Sequence, residues 1–140
     1  METDIDDCSG EILGYTMERL MAAGALDVHY KPVFMKKNRP AWELTVICDE
    51  QHKADLERII FTETTTIGIR CSKMTRSILP RKKAVVQTSY GEVEVKLCSL
   101  DKQEYRYVEF ASAVRLAQNH GVALQDIYNA VKETSSIREL

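Results

Sequence analysis

Leu26-Asp27-Val28-His29-Tyr30-Lys31 alternates apolar and polar side chains strictly, and Phe34 keeps the apolar face. Beyond the interruption Lys36-Lys37-Asn38-Arg39-Pro40 the alternation resumes with Trp42, Leu44, Val46 and Cys48. A period of two predicts two strands, each with one buried face, joined by a tight basic loop. Upstream, residues 1–6 read as a short strand carrying apolar Met1 and Ile5. The chain then turns at Asp7 to Gly10, where Asp7 or Ser9 can accept the free amides of a first helical turn. Leu13, Met17, Leu20 and Met21 recur at helical spacing, and Gly24 supplies the left-handed residue that ends a helix. Downstream, Leu56, Ile59 and Ile60 give residues 51–63 a helical core face. The β-branched run Thr64-Thr65-Thr66-Ile67-Gly68-Ile69-Arg70-Cys71 reads as a fourth strand. The predicted order is β-α-β-β-α-β, an α+β, ferredoxin-like pattern.

The remainder predicts an addition to that core. Residues 84–88 and 92–97 alternate about Tyr90-Gly91 and form a β-hairpin. A helix pair follows, at about 108–119, closed by His120-Gly121, and at 124–133, with Leu124, Ile127, Tyr128 and Val131 on one side. The last six residues read as frayed. The expected organisation is a nucleotide- and metal-binding core over 1–75 and a hairpin-plus-two-helix extension over 76–140, packed with it as one domain.

A chain of 140 residues with 44% hydrophobic and 29% charged residues can bury a core without disulfides or a structural metal. Cys8, Cys48, Cys71 and Cys98 are scattered singly, no apolar run approaches the length of a membrane span, and the first residues are acidic. A reduced, cytoplasmic setting is the expectation. The net charge of −2 conceals an asymmetry: residues 1–30 hold seven acids and one base, residues 31–83 twelve bases and six acids. An acidic tract beside a basic segment points to an anionic ligand with a cation beside it, and away from nucleic acid.

Three constellations carry that chemistry. Alternation puts Glu2, Asp4 and Asp6 on one face of the first strand, with Asp7 at the helix start. Such carboxylates repel unless a cation neutralises them, and oxygen donors suit magnesium or manganese; the competing reading is a solvated edge with an N-cap aspartate. Lys36, Lys37 and Arg39 can grip phosphate oxygens, or equally keep a hairpin tip soluble. Thr64, Thr65 and Thr66 bring hydroxyls to a helix–strand junction beside Arg70, where they can hold a phosphate or a sugar, or serve only as β-formers. The basic run Arg76, Arg81, Lys82 and Lys83 reads as a solvated linker, or as the border of an anionic ligand or a neighbouring subunit. No phosphate-binding glycine loop and no Cys-x-x-Cys occurs, and His29, His52 and His120 lack the spacing of a metal site.

In their order and spacing, Glu2-Thr3-Asp4-Ile5-Asp6-Asp7, Met35-Lys36-Lys37-Asn38-Arg39-Pro40 and Glu63-Thr64-Thr65-Thr66-Ile67-Gly68-Ile69-Arg70 resemble the C-terminal domain of the nickel-insertion proteins of nickel-pincer nucleotide cofactor biosynthesis. The resemblance covers essentially the whole chain. It implies part of a CTP-dependent, lyase-class cyclometallase that places nickel in pyridinium-3,5-bisthiocarboxylic acid mononucleotide, the precursor of the cofactor of lactate racemase. It also implies a domain that binds CTP with manganese or magnesium, forms homo-oligomers, and works with an N-terminal region of the same protein. Carried over by position, Lys36, Lys37, Arg39 and Arg70, with Thr64, Thr65 and Thr66, go to the nucleotide phosphates. Glu2, Asp4, Asp6 and Asp7 go to the divalent ion, although relatives often carry asparagine where Asp4 stands. The alternative function is a non-catalytic, ferredoxin-like homo-oligomerisation module.

Overall fold

The computed structural model describes residues 1–134 and 136–140. They form two compact units, Met1–Met74 and Thr75–Leu140.

In the first unit, β1 (Glu2–Ile5), α1 (Gly10–Ala22), β2 (Asp27–Met35), β3 (Arg39–Ile47) and α2 (Lys53–Glu63) follow one another. The sheet order is β1-β3-β2, with β3 antiparallel to both neighbours, as the split βαβ pattern requires. Ser9 caps α1, its hydroxyl accepting from Ile12 N at 3.3 Å. At the other end Ala25 N donates to Leu20 O and Gly24 N to Met21 O, the paired bonds of a left-handed helix stop. Gly24 sits at φ +97°, and a Cβ there would stand 2.9 Å from the His52 ring. The core is Ile5, Leu13, Leu20, Val28, Leu44, Val46, Leu56 and Ile60.

Two expectations for this unit need correction. Residues 64–71 form no strand, only an isolated antiparallel bridge between Arg70 and Glu2. The threonines explain the difference, because their side chains compete with a ladder for the local backbone. Thr64 donates to Ile60 O at 2.7 Å, Thr66 N donates to Thr64 Oγ1 at 3.3 Å, and Thr66 Oγ1 donates to Gly68 O at 3.1 Å. The ferredoxin-like fourth strand is thus reduced to one position. The apolar face of β2 is also only partly covered: Val28 is buried, whereas Leu26 is 54% and Phe34 74% exposed. The exposed positions lie at both ends of the strand, Leu26 before its start and Phe34 beside the hairpin tip.

In the second unit, β4 (Arg81–Thr88), β5 (Gly91–Leu100), β6 (Gln103–Val108), α3 (Phe110–His120), α4 (Leu124–Glu133) and β7 (Ile137–Glu139) form a four-stranded sheet of order β6-β5-β4-β7 with two helices. Ala84, Val86, Val93, Val95 and Leu97 pack with Ala113, Ala117, Ile127 and Val131. The predicted hairpin is therefore the centre of a larger sheet. β6 carries no apolar alternation, since Gln103-Glu104-Tyr105-Arg106-Tyr107 is exposed throughout at the sheet edge. The C-terminal residues expected to fray include β7, whose Ile137 pairs with Val86 and packs on the core. No helix among the described residues is long and apolar enough to cross a membrane.

Candidate functional site

The site grows out of the register of the first unit's sheet. Glu2 pairs with Thr45 and Asp4 with Glu43, while Lys31 pairs with Glu43 from the other side. Residues directly opposite share a face, so Lys31, Glu43 and Asp4 form a row on the face away from the core. Arg70 completes it, its backbone N–H and C=O both bonded to Glu2 at 2.8 Å. Two facing carboxylates, Asp4 and Glu43, would repel if left alone. Each is held by a cation on its outer side: Arg70 Nη1 reaches Asp4 Oδ2 at 2.9 Å, and Lys31 Nζ reaches Glu43 Oε1 at 2.6 Å. These pairs push the Arg70 guanidinium and the Lys31 amine upward, in each case chiefly through the hydrogen bond to the carboxylate.

Past the end of β1, Arg39 Nη1 donates to Asp6 Oδ2 at 3.0 Å. Thr65 Oγ1 donates to Asp7. Thr3, 2% exposed, and Thr66 bring their hydroxyls to 2.5 Å, which ties the threonine run to β1. The Asp4 and Asp6 pairs stand two residues apart along the chain, roughly 7 Å in extended geometry. The side chains of both aspartates are 25% exposed beneath their arginines, whose side chains are 54% and 58% exposed, while Asp6 as a residue is exposed. Part-sheltered carboxylates therefore lie under solvent-reaching bases. Burial also raises the Cys8 thiol beside Asp7.

Lys36 and Lys37 occupy the hairpin tip, a three-residue helical turn between Met35 and Arg39. Lys37 and Asn38 are left-handed, at φ 63° and 56°. Asparagine tolerates that region; a lysine there is strained, and such strain concentrates at functional segments. Both lysines are exposed, and neither makes an ion pair among the described residues.

Of the residues singled out in the sequence, the structure brings together Asp4 with Arg70, Asp6 with Arg39 and Asp7 with Thr65. Lys36 and Lys37 stand at the adjoining tip. Thr64 is engaged with α2, and Glu2, opposite Arg70 in the backbone bridge, also lines a cleft of ≈ 450 Å³ with Cys48, Asp49, Lys53 and Cys71. Lys31 and Glu43 escaped the sequence reading. Pairing outward from the tip through Met35 and Arg39 would have found them, because that register sets Lys31 opposite Glu43.

No group of three or more His, Cys, Asp or Glu residues is gathered for a metal ion among the described residues. The donor chemistry still fits a magnesium or manganese ion carried on phosphates, which needs one or two carboxylates and takes its other oxygens from the ligand.

The nickel insertion protein family matches residues 1–128. A pyridinium-3,5-bisthiocarboxylic acid mononucleotide nickel insertion protein of Alkaliphilus metalliredigens (strain QYMF) is 44% identical over 98% of this chain and 32% of its own length. The protein of that name from Lactiplantibacillus plantarum is 41% identical over 93% of this chain and 31% of its own. The chain thus spans about a third of the curated relatives it matches. Among solved structures, LarC2, the C-terminal domain of a cyclometallase involved in the synthesis of the NPN cofactor of lactate racemase, in its apo form, superposes with a TM-score of 0.86. The two are 41% identical, over 92% of this chain and 90% of that one. A protein of Methanopyrus kandleri AV19, 24% identical with a TM-score of 0.56, shares the fold alone.

Proposed function

The chain belongs to the nickel insertion protein family, and from that premise we propose that it is the nucleotide-binding C-terminal part of a cyclometallase. The full protein inserts nickel, as substrate, into pyridinium-3,5-bisthiocarboxylic acid mononucleotide. The role of this part is to hold CTP with manganese or magnesium. The observation that carries the reading is the convergence of Asp4, Asp6 and Asp7 with Arg70, Arg39 and Thr65 at one edge of a sheet.

Arg39 and Arg70 offer planar, bidentate donors for phosphate oxygens, and Lys36 and Lys37 add two ammonium groups from the tip. Asp4, Asp6 and Asp7 would offer hard oxygens to a divalent ion, which when bound would supply positive charge beside the phosphates. Thr65 orients Asp7, and Thr66 keeps the segment leading to Arg70 fixed to β1 through Thr3.

Isothermal titration calorimetry with CTP and Mn²⁺, against ATP and Mn²⁺, tests the reading. Saturable, one-to-one binding that needs the metal and favours CTP is expected. Heat that does not saturate, or equal affinities for the two nucleotides, contradicts the CTP assignment.

Assembly of several copies is a second reading, favoured by the second unit. There β6 forms a sheet edge flanked by Tyr107 at 53% and Phe110 at 63% exposure. Analytical ultracentrifugation of Tyr107→Glu checks it: a lower mass than the parent protein is expected, and an unchanged mass removes this edge as the interface.

A further inference from the structure

The opposite charges of the candidate site are paired with one another, and that constrains what can enter it. Each arginine proposed to grip a phosphate is already bonded to an aspartate proposed to grip the metal: Arg39 to Asp6 at 3.0 Å, Arg70 to Asp4 at 2.9 Å. A polyphosphate arriving alone must pull the guanidinium groups away while two carboxylates, 25% exposed, stay behind next to its negative charge. A divalent ion arriving alone must take the carboxylates and leave two guanidinium groups beside it. Either ligand by itself trades an attraction for a repulsion.

A metal–polyphosphate complex does neither, because the carboxylates move to the ion while the guanidinium groups move to the phosphates. Surface ion pairs contribute only about 0–1 kcal/mol each, so exchanging them for metal and phosphate partners has little to overcome.

Resting on the nucleotide–metal reading above, we infer that Asp4 and Asp6 are specificity-determining residues, which through their pairs with Arg70 and Arg39 reject metal-free polyphosphate and admit its divalent-metal complex. The carboxylates do more than coordinate: they hold the phosphate-binding arginines occupied until a cation releases them. The same pairs make each arginine a guard against bare metal. The inference concerns the triphosphate and its ion, not the base, so inorganic tripolyphosphate is a sufficient probe.

The test is calorimetry on the whole chain with tripolyphosphate in excess EDTA, with tripolyphosphate plus Mn²⁺, and with Mn²⁺ alone. The variants are Asp6→Asn and Asp4→Asn, both near-isosteric, and Arg39→Gln, which removes the guanidinium at an exposed position; each is checked for native circular dichroism. Asp6→Asn and Asp4→Asn should each bind metal-free tripolyphosphate at least threefold more tightly than the parent. Removing any nearby carboxylate eases the repulsion of an anion, so the exchange is read from coupling: the gain of Asp6→Asn should disappear in Asp6→Asn/Arg39→Gln, and a gain of equal size there overturns it. The advantage conferred by Mn²⁺ should shrink by tenfold or more. Arg39→Gln should bind Mn²⁺ alone more tightly, while losing affinity for the complex.

If the parent binds the Mn²⁺ complex and Arg39→Gln weakens it, yet neither asparagine variant gains metal-free affinity, the exchange is overturned and the site stands. If the parent binds no Mn²⁺–tripolyphosphate or Mn²⁺–CTP complex at all, the site reading fails and the exchange with it.

Discussion

Both units of this chain carry ion pairs on a sheet, and the pairs differ in kind. In the second unit Lys82–Glu139 and Arg138–Glu92 join side chains that are 56–67% exposed on both partners, and Lys96–Glu109 is intermediate at 42% and 33%. In the first unit the acids Glu43, Asp4 and Asp6 are 17–25% exposed under bases exposed by more than half. Solvated pairs of the first kind contribute almost nothing measurable. Pairs of the second kind hold a sheltered carboxylate ready for whichever cation replaces the base. The number of charges does not distinguish the units; register, shelter and the strained basic tip do.

The sharpest way to break the comparison is to remove what positions the paired row. Leu44 is fully buried and lies between Glu43 and Thr45, both on the charged face. Leu44→Ala is expected to cost about 2–5 kcal/mol in urea unfolding, and a cost below about 1 kcal/mol would show that the sheet is not anchored there. Next comes the contrast between two arginines. Arg39→Ala is expected to weaken Mn²⁺–CTP binding at least tenfold, whereas Arg138→Ala in the second unit leaves it unchanged; equal effects would erase the distinction. A smaller effect isolates the strained tip. Lys37→Gly relieves a left-handed lysine and should raise stability by about 1 kcal/mol while weakening nucleotide binding several-fold. A variant that gains stability and keeps its affinity would make the tip a scaffold only. Smallest of all, Lys82→Ala should shift stability by no more than about 0.5 kcal/mol by the same unfolding assay.

Much of the first unit was legible because its strands obey a period of two and its helices a period near four. Val28, Leu44 and Val46, with Leu13 and Leu20, sit in the core as the pattern predicted. The fold class followed from that pattern, and the motifs at 2–7, 35–40 and 63–70 carried the resemblance to the nickel insertion family. Where the reading failed, a different force decided. At 64–66, threonine side chains bonded to nearby backbone overrode β propensity. β6 has no buried face to announce it and is specified by its pairing with β5. Ile137 carries too little signal in a three-residue strand to outweigh the polar residues around it. The acidic and basic motifs were visible as charge, but the particular pairing of Asp4 with Arg70 and Asp6 with Arg39 depends on long-range register. Lys31 and Glu43, by contrast, face each other through the local hairpin register, which counting outward from the tip makes readable.

The central claim is that the charged face of the first unit, with its basic tip, holds a divalent ion and a nucleotide triphosphate. A crystal structure of the chain with Mn²⁺ and CTP tests it most directly. The account predicts phosphate oxygens within hydrogen-bond distance of Arg39 and Arg70, an aspartate of residues 4–7 on the manganese, and the Arg39–Asp6 pair broken. A nucleotide bound in the second unit, or one bound with both arginine–aspartate pairs intact, would contradict it.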